Sequence, residues 1–220
     1  MTSVPKRRRG RPPLPLDRII ETALVMIDHD GPDQFSFRGL ADRLSSSTAT
    51  LYRHVKDKSE LLGLVIERTL ADVDLPEAAD EQWDETCRTT MCSVFASLTK
   101  HPGVARILIQ QFPSGPHAAA IRERVLHALI QGGFGPGTAA VGGATLARYT
   151  LGFAVQAALE SAHASDNTVE SNPLMINQSR YPSTAAVAHL LPKPLAEEFD
   201  FGLRLLLQGL RSMRDEGQSP

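Results

Sequence analysis

Residues 48–62 read TATLYRHVKDKSELL, a segment that combines a short amphipathic helix with the start of another helix. Leu51 and Val55 stand four residues apart, which places them on one face of a helical turn. The polar side chains between them are then left for solvent or for a partner. Asp57 and Glu60 have the spacing of a capping box, which predicts that a new helix begins directly after the aspartate.

Two more helices are predicted before this segment. Apolar residues recur at helical spacing from Leu16, and Gly31-Pro32 ends that helix. A short helix follows over about 36–44, and a run of serines separates it from the helix predicted over 48–55. Two short helices joined by a tight turn are typical of a helix-turn-helix DNA-binding unit. The sequence predicts this unit over residues 16–58, followed by a connecting helix over 58–75.

The remainder of the chain indicates an all-α protein of about nine to ten helices. Apolar periodicity predicts helices near 78–100, 103–111, 115–132, 136–163, 183–190 and 192–214. The segment 164–182 is polar and has no period, which predicts a mobile loop. We therefore expect a three-helix N-terminal domain and a larger helical domain over 59–220.

Charge is divided unevenly along the 220 residues. Residues 1–58 hold eleven basic and seven acidic side chains, a net charge of +4, whereas the rest carries −6 within a total of −2. A basic end favours a polyanionic partner such as DNA.

The two cysteines, Cys87 and Cys92, lie five apart on a predicted helix and cannot pair, which indicates reduced thiols. Because no apolar run resembles a leader or a membrane span, we expect a cytoplasmic protein.

Residues 1–15 are rich in Lys, Arg and Pro, a composition that predicts disorder. One interpretation is a solvated tail or a localisation signal. The other is an arm that enters the minor groove of A·T-rich DNA, where the negative potential is enhanced. The side chains that would make this contact are Arg7, Arg8, Arg9 and Arg11.

Residues 51–62, inside agreement without gaps over 16–70, resemble the signature of the tetracycline-repressor (TetR) family. The resemblance implies a transcriptional repressor that binds a palindromic operator as a homodimer and is released by a small-molecule inducer. Arg53 and Ser45-Ser46-Ser47 depart from the family pattern and leave the operator sequence open. The DNA contacts predicted from the resemblance and from the polar face are Arg38, Ser47, Thr48, Thr50, Tyr52, Arg53, His54 and Lys58.

The resemblance also implies an effector pocket in the larger domain. Ile107 stands where the family has a metal-binding histidine, and no His/Asp/Glu cluster with metal spacing replaces it. We therefore expect an apolar pocket that needs neither metal nor cofactor. Packing in the core is the alternative for each of the candidate lining residues, which are Met91, Val94, Phe95, Leu108, Phe112, Tyr149, Phe153 and Gln156.

Dimerisation is predicted through the helices near 136–163 and 192–214. The last helix carries an apolar stripe, and the earlier one is small and apolar around much of its circumference, so both need cover on several sides. Burial inside one subunit is the alternative for the stripe, whose members are Phe199, Leu203, Leu206 and Leu210.

Two other functions compete with a repressor. Residues 133–140 approximate a Gly-x-Gly-x-x-Ala phosphate loop, but a helix precedes them where a nucleotide-binding fold needs a strand. With no nucleophile elbow or metalloprotease motif either, we expect no enzyme activity. The remaining alternative is an architectural, non-inducible protein that binds A·T-rich DNA through the basic arm.

Overall fold

A computed structural model describes residues 14–75, 82–165 and 179–217, and every regular element within these ranges is helical. The predicted all-α class and helix number are therefore confirmed. The predicted basic arm, with Arg7, Arg8, Arg9 and Arg11, lies outside the described residues, as does most of the predicted loop 164–182. The helices are α1 (Leu16–Asp30), α2 (Phe37–Arg43), α3 (Thr48–Leu51), α4 (Lys58–Leu70), α5 (Trp83–Lys100), α6 (Pro102–Leu108), α7 (Pro116–Gln131), α8 (Pro136–Ser165), α9 (Pro182–Val187), which continues as a 3-10 turn (Ala188–Leu190), and α10 (Leu195–Gly217).

Helices α1 to α3, here called the head, form because each apolar face finds a shared core. Ile19, Leu40 and Leu51 are fully buried, one from each of the three helices. The N-termini of α2 and α3 are capped by Ser36 and Ser47, whose hydroxyls accept from the amides three residues later. The three helices are therefore held by local capping and by one common apolar centre.

Several helix ends differ from the sequence prediction, and three of the differences have a clear physical reason. The α-helical pattern of α3 ends at Leu51 and not near Val55, because the amides of Arg53 and His54 bond three residues back instead of four. The same tightening at residues 72 and 73 ends α4 at Leu70. At the other end of the chain, α10 begins at Leu195, after a segment that contains two prolines.

Helices α5 to α10 are here called the body. Four of them, α5, α7, α8 and α10, meet at a second core, whose buried members include Trp83, Cys87 and Leu129. The core of the head continues into the buried side chains of α6 and into Ala154 of α8. Helix α6 therefore links the head to the rest of the body, since it contacts α1 and α4 as well as α5 and α8.

Helix α10 has two apolar faces. The predicted stripe packs on the body core of its own subunit, where Phe199 and Leu203 are buried and the other two members are half-buried. A second face remains exposed and carries Phe201 and Leu205. This second face is open to a partner, whereas Phe199 and Leu203 are not.

The helices and the buried cysteine of the fold show two further properties. Within the described ranges, no helix combines the length and apolar character needed to cross a bilayer. Burial raises the pKa of the Cys87 thiol to about 12, with a smaller contribution from the charge of Asp84. This cysteine is thus a packing residue and not a thiolate at neutral pH.

Candidate nucleic-acid interface and effector site

The turn between α2 and α3 is a Schellman motif built without glycine. The amide of Ser46 bonds to the carbonyl of Ala41 at 2.8 Å, and the amide of Ser45 to that of Asp42 at 3.0 Å. Ser45 occupies the left-handed region, with φ of 49°. Glycine is the usual residue in this conformation, because a Cβ makes it less favourable. The turn that joins α2 to α3 therefore holds Ser45 in a strained backbone conformation.

The inner side of α3 packs on the head core, and hydrogen bonds join the side chains on its outer side. Leu51 and Val55 are buried in the head core. On the exposed side, Ser47 Oγ lies 3.0 Å from Thr50 Oγ1, which in turn accepts from Arg53 at 3.3 Å. The hydroxyls of Ser47 and Thr50 thereby order the guanidinium of Arg53 along the outer face of the helix.

The outer face of the head collects most of the predicted DNA contacts. Tyr52 is 57% exposed and rests on the ring of Phe37, with 5.0 Å between ring centroids. Arg38 of α2 is also exposed. Among the described residues, its guanidinium has no hydrogen-bond or ion-pair partner. His54 is half-buried at the rim, whereas Thr48 is exposed at the start of α3.

Lys58 has a role that the sequence did not indicate. Its ammonium donates to the carbonyl of Phe35 at 2.9 Å and to that of Pro32 at 3.4 Å, and it lies 5.5 Å from the centroid of the Phe35 ring. The lysine thus fastens the loop between α1 and α2 to the start of α4. An ammonium has three N–H groups, so a third one is left for a phosphate.

Helix α4 starts with the predicted capping box in a slightly shifted form. Asp57 Oδ1 accepts from the amide of Glu60 at 2.9 Å. The Glu60 carboxylate accepts from the amide of Lys56, one residue before the cap. The connection between the head and the long body is therefore rigid at its first turn.

Five of the eight predicted effector residues meet in the body around Phe199. Phe95 stacks on Phe199 with 4.1 Å between centroids, and Tyr149 and Phe153 lie 5.6 and 5.8 Å from the same ring. Met91 and Val94 belong to the same cluster. Leu108 packs instead on the neighbouring head core.

Two predicted effector residues lie apart from this group. Phe112 is 75% exposed and its ring lies 4.9 Å below the guanidinium of Arg122. Gln156 is exposed on α8. Neither residue belongs to an apolar helix face in the way that the other six do, since Phe112 follows the end of α6 and Gln156 is polar.

Sequence reasoning also missed polar groups inside the body. Arg124 of α7 donates from Nε to Thr90 Oγ1 at 3.2 Å, and Thr90 is buried. Tyr149 donates its hydroxyl to the carbonyl of Phe199 at 2.9 Å, while burial, and then the charges of Glu198 and Asp200, raise its pKa. The sequence predicts Tyr149 as a lining residue without the contact of its hydroxyl. A lone polar residue in a helical run gives no signal for the contact between Arg124 and Thr90. Among the described residues, no group of three or more His, Cys, Asp and Glu side chains is arranged to hold a metal ion.

Two family models match the chain along most of its length. The model described as "Bacterial regulatory proteins, tetR family" matches residues 19–65, which hold the head and the start of α4. The model "Tetracyclin repressor-like, C-terminal domain" matches residues 75–214, which hold the body.

Individual relatives agree with this assignment. An HTH-type transcriptional regulator of Saccharopolyspora erythraea is 30% identical over 208 residues, which cover 93% of this chain and 88% of the relative. The class E tetracycline repressor from Escherichia coli is 25% identical over 92% of this chain and 93% of its own length. The crystal structure of the TetR family protein ActR from Streptomyces coelicolor in complex with actinorhodin superposes with a TM-score of 0.79 at 29% identity, over 92% of this chain and 99% of ActR. The chain therefore belongs to the tetR family of bacterial regulatory proteins, as a transcriptional repressor with a helix-turn-helix DNA-binding unit.

Proposed function

We propose that the repressor binds a palindromic operator as a homodimer and that α3 of each subunit enters the major groove. The observation that carries this proposal is the outer face of the head, where Arg38, Tyr52 and Arg53 are exposed above a fully buried Leu51. Arginine forks and hydroxyls are the groups that read base edges and phosphates. A rigid support below and polar groups above are what a recognition helix needs.

The second subunit is proposed to pack on the exposed apolar face of α8 and α10. Leu205 and Phe201 of α10 are each 58% exposed, and Val141 of α8 is also exposed. Gly152 and Gly209 have open space where a side chain would stand, which suits close approach of helices from another subunit. A two-fold axis through this face would present two copies of α3 to successive major grooves, about 34–36 Å apart.

The effector is proposed to bind in the body, beside the aromatic group around Phe199. That group is apolar and is bordered by the hydroxyl of Tyr149, which donates to the carbonyl of Phe199. The ActR complex with actinorhodin supports a small-molecule effector for this chain. Because linkage is reciprocal, an effector that lowers operator affinity must itself bind less tightly to the operator complex.

We propose that the protein works by binding alone, in the cytoplasm and without turning over a substrate. The alternative, an architectural binder held on A·T-rich DNA by residues 1–15, is separated from the repressor by deleting residues 1–14. A repressor keeps its operator preference after this deletion, because the readout lies in the head. An architectural binder loses nearly all affinity.

Substituting Arg38 and Lys58 separately distinguishes base readout from phosphate contact. Arg38→Ala should cost about 1–3 kcal/mol of operator affinity and relax base preference, because a bidentate contact to guanine is lost. Lys58→Ala should weaken binding to all duplexes and flatten the slope of log affinity against log salt by about one unit. Fluorescence anisotropy on operator and random duplexes measures both, with thermal unfolding as the control for the loss of the Lys58 contacts to the head. Equal losses on both duplexes for both variants contradict the proposed interface.

A further inference from the structure

Helices α6 and α7 begin without a cap from their own side chains, as α5 and α9 also do. Both α6 and α7 have a proline in their first turn, and neither His101 nor Gly115, the residues before them, caps through a side chain. In each case a carboxylate from another helix takes that place. One carboxylate comes from α1 of the head, and the other comes from the connecting helix α4.

Asp28 of α1 supplies the contact to α6. Its Oδ1 accepts from the amide of Gly103 at 3.2 Å, and its Oδ2 lies 2.7 Å from Nδ1 of His101. Since a carboxylate only accepts, the imidazole donates here. Gly103 lies so close to α1 that a Cβ there would stand 2.3 Å from the carbonyl oxygen of Ile27. The start of α6 therefore contacts α1 through the backbone as well as through side chains.

Glu67 of α4 supplies the contact to α7. Its Oε2 accepts from the amide of His117 at 2.8 Å and lies 3.1 Å from Nδ1 of the same residue, while Oε1 accepts from the amide of Ala118 at 3.3 Å. A Cβ on Gly115 would overlap the Glu67 carboxyl group, at 2.1 Å from Cδ. Three donors thus converge on one carboxylate.

Burial makes both contacts energetically significant. The side chains of Asp28 and Glu67 are only 22% and 17% exposed, so their charges depend on these donors for solvation. Exposed ion pairs also join these parts of the protein. Arg106 of α6, for example, lies 2.6 Å from Asp33, which follows α1, but solvent screens this pair. The two carboxylates are hence the polar contacts best placed to fix the orientation of α1 and α4 on the body.

We propose that Asp28 and Glu67 are positioning residues for operator recognition, which set the angle of the head on the body and so the half-site spacing that a dimer accepts. The proposal rests on the dimeric operator binding proposed above. Neither residue needs to touch DNA. Each acts through a body helix, which holds the head at the distance that the palindrome requires.

The test uses the full chain and a palindromic duplex obtained by selection, with its spacer kept or changed by one base pair in either direction. The wild-type chain should bind the changed spacers about tenfold more weakly, since each base pair both shifts and rotates a half-site. The double variant D28A/E67A should reduce this discrimination to about twofold, while its salt dependence stays unchanged because the phosphate contacts are the same. A purely structural role would instead lower affinity for every spacer alike.

Two matched variants complete the design. D17A/E123A removes the same charges from exposed positions of α1 and α7 and should keep wild-type discrimination. D28N/E67Q keeps one acceptor oxygen at each site but turns an amide NH2 toward the remaining donors, so it should restore only part of the discrimination. If D28A/E67A does not fold, E67A alone is measured on the same duplexes.

Wild-type discrimination in D28A/E67A, or in E67A when only that variant folds, overturns the positioning role. Absence of any spacing preference in the wild-type chain contradicts the dimeric operator instead, so the two failures can be told apart.

Discussion

Replacing Leu205 by glutamate should convert the protein into a monomer and lower its operator affinity by about 10²–10⁴-fold. Leu205 is 58% exposed in the subunit and lies one helical turn from Phe201 on the proposed dimer face. A carboxylate there would have to be buried without a partner when two subunits meet. In the proposed dimer, the second half-site is engaged at high effective concentration, and a monomer would lose that advantage.

Light scattering gives the mass of the variant, and electrophoretic mobility shift gives its affinity. The wild-type mass should be twice the 23.9 kDa of one chain, whereas the mass of Leu205→Glu should equal one chain. Ile130→Glu is the matched control, because Ile130 is an exposed apolar residue of α7 and does not belong to the proposed dimer face of α8 and α10. A Leu205→Glu dimer, or a monomer that keeps full operator affinity, would show that subunits do not meet on this face.

Substituting the neighbours Leu51 and Tyr52 should separate stability from recognition. Leu51 is fully buried, so Leu51→Ala should lower the free energy of unfolding by about 2–5 kcal/mol through lost contacts and a cavity. Tyr52 is 57% exposed, so Tyr52→Ala should lower the free energy of unfolding by only about 0.5–1.5 kcal/mol, through the lost contact with Phe37. The same variant should lose about tenfold in operator affinity, the size of one contact in a specific interface.

Urea unfolding and fluorescence anisotropy on the same samples provide both quantities. The two variants differ by one position in the chain and by their side of α3, which makes each a control for the other. A large loss of stability in Tyr52→Ala, or full operator affinity in a well-folded Tyr52→Ala, would place the recognition surface elsewhere.

Local spacing predicts the head well because its signals lie within a few residues of each other. The stripe of α1, the pair Leu51 and Val55, and the capping box at Asp57 are all contacts within one or two turns. The sequence predicts α3 too long, to residue 55 and not to Leu51, because periodicity does not distinguish an α-helical turn from a tighter one.

Contacts between distant parts of the chain left no comparable pattern. The two faces of α10 are both apolar, and only the packing shows that Phe199 belongs to the subunit core while Phe201 does not. Asp28 and Glu67 looked like ordinary surface acids of amphipathic helices, and their partners lie 50 or more residues away. The predicted effector residues form a group only where helical packing brings α5 and α8 around one ring.

Selection of bound duplexes from a random library, with the full chain and no added effector, measures the operator directly. We predict a single palindromic sequence whose half-sites are centred about one helical turn or a whole multiple of it apart, with two subunits on each duplex. Enrichment of A·T-rich DNA without symmetry, or of an isolated half-site bound by one subunit, would contradict a dimeric repressor that reads DNA through α3.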